Sequence, residues 1–355
     1  MDKAKTTGNL LSIRRISSKQ AETIIRNEAN DGNLCFITGA GISKIPPANL
    51  PLGNELKDRL IDLITEGKKA RKYRNKILLH PKYQDAIPEL IFQPIYECIG
   101  SKIYQVFDIL KYGHFNHIHK KLGWYSKIKK AGIYTTNFDM LIEHASTFPV
   151  DVQHLHGSID KPEEMIIRIY QVGRGISKNL TNRFKKKNNG KVLVVLGYSG
   201  NDPDIMTLIN NTSFKSIIWL VRDFNNKRGL SNLKKLTHHT PLLFQNDLNK
   251  LFRDKRMRPS HSKPSSDTPT TILTQLTEIE ALKCLQAVYF VIEDFKVALH
   301  ICNHVFDNKS FNLSPKDHSW FHQVAADNLN RIGIDFRAAI SHMKAAIKIN
   351  IKNGN

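Results

Sequence analysis

Asn33-Leu34-Cys35-Phe36-Ile37-Thr38-Gly39-Ala40-Gly41-Ile42-Ser43 is the stretch around which the chain is organised. Leu34–Ile37 is a short apolar run of the kind that makes a fully buried strand. The glycines of Thr38-Gly39-Ala40-Gly41 let the backbone turn sharply and come close to a ligand. A helix beginning beyond them points unpaired N–H groups and the positive end of its dipole at the turn, where a phosphate can sit. A plain strand-to-helix connection uses the same residues, so the rest of the chain has to decide.

Three further stretches repeat the pattern. In Gly132–Asp139 (Gly-Ile-Tyr-Thr-Thr-Asn-Phe-Asp), Ile133–Thr136 has strand character. Asn137 and Asp139 fall at its end, before Met140–Ala145 turns helical. Open α/β sheets keep ligand groups at that carboxyl edge, although a helix cap would also explain Asn137. In Asp151–Ser158, His156 precedes Gly157 and so lies beside bare backbone at a strand end. Val192–Leu196 is a buried strand that runs into the polar turn Gly197-Tyr198-Ser199-Gly200-Asn201-Asp202. Ser216–Val221 makes another strand, closed by Arg222 and Asp223. Pro241–Phe244 adds a last one, with a short helix over Asp247–Phe252.

Helices fill the intervals. Ser18–Asn30 has Ser17 or Ser18 as cap and Ala21, Ile24, Ile25 and Ala29 at near-helical spacing. The proline-rich Ile45–Gly53 cannot be helix or sheet interior and reads as a loop over the glycine turn. Asn54 opens a helix to about Ile64, and Lys68–Phe115 is mostly helical, broken at Pro81, Pro88 and Pro94. His114, His117 and His119 belong to a histidine-rich helix, at spacings that converge poorly on a metal. Strands and helices thus alternate as in a Rossmann-like, doubly wound parallel sheet of the α/β class, with a helical insertion over about 54–130.

Residues 1–253 form this domain. Residues 254–271, rich in Arg, Ser, Pro and Thr, read as a linker. Residues 272–355 read as a small all-α helical-repeat (tetratricopeptide-like) module. There Asp294-Phe295-Lys296-Val297-Ala298-Leu299 recurs as Asp335-Phe336-Arg337-Ala338-Ala339-Ile340, each copy opening a helix with a small residue at its packing position. Such pairs stack into a solenoid, for which about three repeats are needed. With two copies, the module is expected to dock on the first domain, to self-associate, or to be cut short.

The 355 residues are 41% hydrophobic and 24% charged, a globular and not a disordered composition. No run approaches the roughly 20 apolar residues of a membrane helix, and no secretory signal is visible behind Met1. The four cysteines, Cys35, Cys98, Cys284 and Cys302, are scattered and suit reduced thiols in a cytoplasm. The net charge of +21 favours anionic partners. Its clusters at Lys68–Lys76, Lys185–Lys191 and Arg253–Arg258 hold few aromatics to stack on bases. A solvated lysine-rich surface explains them; the charge leaves nucleic acid open as a partner, with no motif behind it.

Four motifs in this order, each at the end of an expected strand, resemble the sirtuin family. They are Thr-Gly-Ala-Gly-Ile-Ser (38–43), Thr-Thr-Asn-Phe-Asp (135–139), His-Leu-His-Gly (154–157) and Leu-Gly-Tyr-Ser-Gly-Asn-Asp (196–202). The resemblance covers about Ser18 to Phe252. It implies that Gly39, Ala40 and Gly41 hold the NAD pyrophosphate, with Ser43 in the lip of that turn. It places Asn137 by the nicotinamide-bearing ribose, Thr136 among the NAD-binding residues, Asp139 as an acid that orders the pocket, and His156 as the catalytic histidine. Gly197, Ser199 and Asp202 fall in the turn beside the adenosine ribose, with Arg222 near the adenosine.

Two departures matter. Residues 158–190 contain no cysteine, so the zinc module of protein-deacylating sirtuins is missing and no zinc is expected. The proline-rich loop also lacks the family's Phe-Arg. What remains resembles the zinc-free, sirtuin-like NAD hydrolases of bacterial antiphage systems, which often join this domain to a helical repeat. The implied activity is cleavage of the nicotinamide–ribose bond of NAD, taken as substrate, to nicotinamide and ADP-ribose. The implied setting is gated NAD depletion, with a phage-derived or nucleotide trigger and homo-oligomerisation through the helical regions. A non-catalytic nucleotide sensor or adaptor is the alternative, and an NAD-dependent deacylase a third reading.

Overall fold

The computed structural model describes residues 14–225, 227–248, 250–252, 276–333 and 335–353. The protein is α/β. Its strands are β1 (Arg14–Arg15), β2 (Leu34–Thr38), β3 (Gly132–Thr135), β4 (Val152–His154), β5 (Val192–Leu196), β6 (Ser216–Val221) and β7 (Leu242–Gln245). All pair in parallel, in the order β1-β7-β6-β5-β2-β3-β4. β2 and β5 are buried at every position because both faces of the sheet are covered, which is why they read as unbroken apolar runs.

On one face, Leu34, Phe36, Val192 and Val194 pack with Ala21, Ile25 and Ala29 of helix Ser18–Asn30 and with Ile118 and Leu122 of helix His117–Lys129. On the other, Cys35, Ile37, Leu193 and Val195 meet Phe184 of helix Lys178–Asn188 and Ile205 and Ile209 of helix Pro203–Asn210. Each fully buried Leu, Ile or Phe of these layers contributes about 1.5–3 kcal/mol. Helix Ser18–Asn30 starts at a capping box, with the Ser17 hydroxyl and the Gln20 amide each taking the other's backbone N–H.

The chain runs from β2 outward to β3 and β4, then returns to β5 on the other side of β2. Strand order therefore reverses between β2 and β5, the topological switch point where open α/β sheets bind ligands.

Several details depart from the sequence reading. β1 is a two-residue basic strand held by backbone pairing to β7, with no apolar signal of its own. The last strand is shifted to Leu242–Gln245, and the residues described in Asp247–Phe252 form turns, not a helix. Pro81 and Pro88 open helices, where their missing N–H costs nothing. Pro94 lies inside helix Pro88–Ile99 without ending it. The linker 254–271 lies outside the described residues.

The compact units do not follow the boundaries at 253 and 272. The first, which carries the sheet, is built from the described parts of Met1–Leu52, Asp108–Ile166 and Tyr170–Thr268. The second joins Gly53–Phe107 and Ile167–Ile169 to the described part of Pro269–Asn355. Within it, helix Glu278–Val291 packs on helix Pro88–Ile99, and the Tyr289 hydroxyl donates to Tyr73 O at 2.9 Å. The two repeats thus complete their core with the helices of 53–107. Each copy opens a helix with its small residue buried, as expected, at Ala298 and Ala339; Asp294 and Asp335 cap those helices, accepting from Val297 N and Ala338 N.

Candidate functional site

The turns that follow β2 and β5 touch backbone to backbone. Gly39 N–H donates to Leu196 O at 3.0 Å and Gly41 N–H to Gly197 O at 2.9 Å. A Cβ on Gly39 would lie 2.8 Å from Gly197 O, and one on Gly41 2.8 Å from Gly197 Cα. Gly197 itself has φ +63°, and a Cβ there would come within 2.5 Å of Ile42 N. These glycines are therefore required by packing, whether or not a ligand binds. The amides of Ile42 and Ser43 turn back on Gly39 O and Ala40 O. The Ala40 amide takes no backbone partner among the described residues.

Behind the turn lies a buried polar network. Ser43 Oγ donates to Asp139 Oδ2 at 2.9 Å and accepts from Asn137 Nδ2 at 3.1 Å. It also faces His119 Nε2 at 3.1 Å. His119 Nδ1 accepts from Asn116 N at 3.0 Å, so in the neutral ring the proton sits on Nε2 and goes to Ser43. Burial, with His117 adding to it, pulls the His119 pKa down to about 3, which keeps the ring neutral. Asn116 caps helix His117–Lys129 and donates from Nδ2 to Ile42 O at 2.8 Å, tying that helix to the glycine turn. Burial raises the pKa of Asp139, partly offset by the Ser43 hydroxyl and the Leu141 N–H. The network leaves Asn137 Oδ1 buried with no partner among the described residues. Such an atom calls for a water or a ligand.

β3 and β4 pair with Thr135 opposite His154, so Asn137 and His156 each stand two residues beyond one register position, past the carboxyl ends of neighbouring strands. His154 clamps this edge. Its Nδ1 meets Asn137 O at 2.8 Å and its Nε2 meets Glu143 Oε1 at 2.9 Å, two acceptors that call for a doubly protonated ring. Burial alone would lower the His154 pKa. The hydrogen bond and charge of Glu143, with the Asn137 carbonyl, outweigh it and hold the value above 6.5. A raised folded-state pKa gives stability that is present below the unfolded value and lost as pH rises through the folded one. We expect the stability difference between the wild type and His154→Gln to be greatest below about pH 6.5 and to shrink above it, measured by denaturant melts across pH. A difference that does not change with pH would contradict the clamp.

His156 Nε2 lies 3.0 Å from Asp204 Oδ2, with both side chains almost fully buried. Asp204 Oδ1 accepts from Ile205 N, so the carboxylate is itself held in place. Asp202, at the cap of helix Pro203–Asn210, has its pKa raised by burial, with His156 and Tyr198 pulling the other way. Ser199 is exposed, and its carbonyl accepts from Asn232 Nδ2. Thr136 N–H donates to Thr38 O. Arg222 is exposed just past β6 and joins none of these clusters among the described residues. His117 Nε2 faces Leu251 O, so the histidine-rich helix divides its rings between different partners, and among the described residues no group of three metal-ligating side chains assembles.

The structure thus gathers Ser43, Asn137 and Asp139 into one network and pairs His156, past the end of the neighbouring strand, with Asp204. Asn116, His119, His154, Glu143 and Asp204 were not singled out as site residues. His154 does stand in the His-Leu-His-Gly motif and His119 in the histidine-rich run, and Asn116-x-x-His119 has the spacing of a capping box. No family model matches the chain, and no curated protein matches it. No helix among the described residues is long and apolar enough to cross a membrane.

Proposed function

We propose that this sheet edge is the site of an NAD+ hydrolase, in which NAD+ and water give nicotinamide, ADP-ribose and a proton. The observation that carries the reading is the orphaned carbonyl oxygen of Asn137, buried just past the end of β3, with His156 just past the end of the neighbouring β4. The four sirtuin-like motifs in their order support it. Cleaving the nicotinamide–ribose bond develops oxocarbenium-like charge on the ribose, and nicotinamide leaves neutral, so no strong acid is needed. Asn137 Oδ1 would accept from the attacking water or a ribose hydroxyl, its amide held by Ser43. His156 would take the proton that is released. With Nε2 turned to Asp204, the lone pair of the neutral ring lies on Nδ1. Histidine suits the role because it titrates near neutral pH.

Unchecked hydrolysis would deplete the host of NAD, so we place the activity under control and in antiphage defence. The absence of cysteine from 158–190 counts against a zinc-dependent deacylase.

The test is incubation of the full chain with NAD+, with and without candidate activators, and chromatography of nicotinamide, with Asn137→Ala alongside. The full chain is required, because cutting at 253 would strip the helices of 53–107 of their packing partners. Release that disappears in Asn137→Ala supports the reading. No release from the wild type under any condition favours a nucleotide sensor, and release that persists in the variant places the site elsewhere.

A further inference from the structure

Helix Phe336–Lys352 packs one side on helix Pro315–Ile332, burying Ala339 and Ala346, and leaves a large apolar stripe uncovered. Phe336 (61% exposed), Ile340 (55%), Met343 (39%), Ile347 (51%) and Ile351 (73%) recur at steps of three and four residues, so they form one line along the helix. Isolated exposed apolar residues need no explanation; five in register on one helix do.

The rim of the stripe says what fits it. Arg337, Lys344, Lys348 and Lys352 all fall on the flank away from helix Pro315–Ile332. All four are exposed, and none makes an ion pair among the described residues. Residues 336–352 include no Asp or Glu. Lys344, Lys348 and Lys352 share one open face of the helix with Ile347 and Ile351.

A second copy is a poor occupant. A two-fold axis sets a surface against itself, and an antiparallel helix pair brings each flank against the same flank of its mate. That would oppose four cations to four cations. Segments 1–13 and 253–275 are also net positive, as is the whole chain at +21. We propose that this face is a docking site for an amphipathic helix of another protein, with an apolar stripe and a glutamate- or aspartate-rich flank. The apolar stripe provides affinity by burial, and the one-sided cationic rim selects partner and orientation.

The test uses the full chain and two synthetic helical peptides that share one leucine stripe, one flanked by glutamates and the other by lysines. Fluorescence anisotropy at low salt should show at least tenfold tighter binding of the acidic peptide, weakening as salt is added. The triple reversal Lys344→Glu, Lys348→Glu and Lys352→Glu should invert the preference, and Ile347→Asp should abolish binding. All the substituted side chains are exposed, so the fold is not at stake. Equal binding of the two peptides, or binding of neither, would overturn the proposal. So would a concentration-dependent dimer of the full chain that Ile347→Asp dissolves, which would make a second copy the occupant. Co-sedimentation with phosphatidylserine vesicles that needs Ile347, without any peptide preference, would assign the face to a membrane and overturn it too.

Discussion

Nicotinamide release from NAD+ is expected to fall about 100- to 10,000-fold in His156→Ala, the usual contribution of a positioned general base. The ring stands two residues past the end of β4, with Nε2 on Asp204. Alanine removes the group that would accept the proton and leaves the Asp204 carboxylate buried without its ring partner. Stability must therefore be measured alongside rate, because an unpaired buried carboxylate is costly. Asp204→Asn separates the two effects. The asparagine oxygen can still accept from Nε2–H, so the ring keeps its orientation while losing the adjacent charge. A smaller loss in kcat with a displaced pH–rate profile is expected. Wild-type turnover in a folded His156→Ala would remove His156 from the mechanism.

Gly197→Ala is expected to destabilise the protein by about 3–5 kcal/mol, among the largest effects of a single substitution. The residue has φ +63°, which costs a side-chain-bearing residue about 1–2 kcal/mol. The added methyl would also sit 2.5 Å from Ile42 N, a backbone atom that cannot swing aside. Relief would require the turn after β2 to move away from β5, breaking the bond from Gly41 N–H to Gly197 O. Denaturant unfolding measures the loss directly. Gly190→Ala is the control: its φ of +78° carries the same backbone strain, but nothing lies within 4 Å of its added Cβ. Similar losses in both variants would show that contact with the β2 turn contributes little.

The two results bear on different links of one chain of causes. Gly197 holds the ends of β2 and β5 together, and β2 in turn positions Ser43, whose hydroxyl orients Asn137. On the proposed reading, His156 would act at the edge so assembled.

Residues close in sequence carried enough information for the elements themselves. Val192–Leu196 and Ser216–Val221 were legible to the residue, because strands covered on both faces must be apolar throughout. Ser18–Asn30 was legible from its cap and spacing. The placing of Asn137 and His156 at strand ends followed from the same local patterns. β1 escaped notice because backbone pairing alone makes it a strand, and backbone pairing leaves no mark on side-chain type.

The site's inner contacts were out of reach for a different reason. Ser43 and His119 are 76 residues apart, Ser43 and Asp139 are 96 apart, and His156 and Asp204 are 48 apart. Nothing in the types Ser, His or Asp says which of many partners will be met once the strands are ordered. The union of 53–107 with the C-terminal repeats is the same case on a larger scale. Each segment shows an apolar face that needs covering, but hydrophobic burial is non-directional. Which two faces meet was settled only when the whole chain packed.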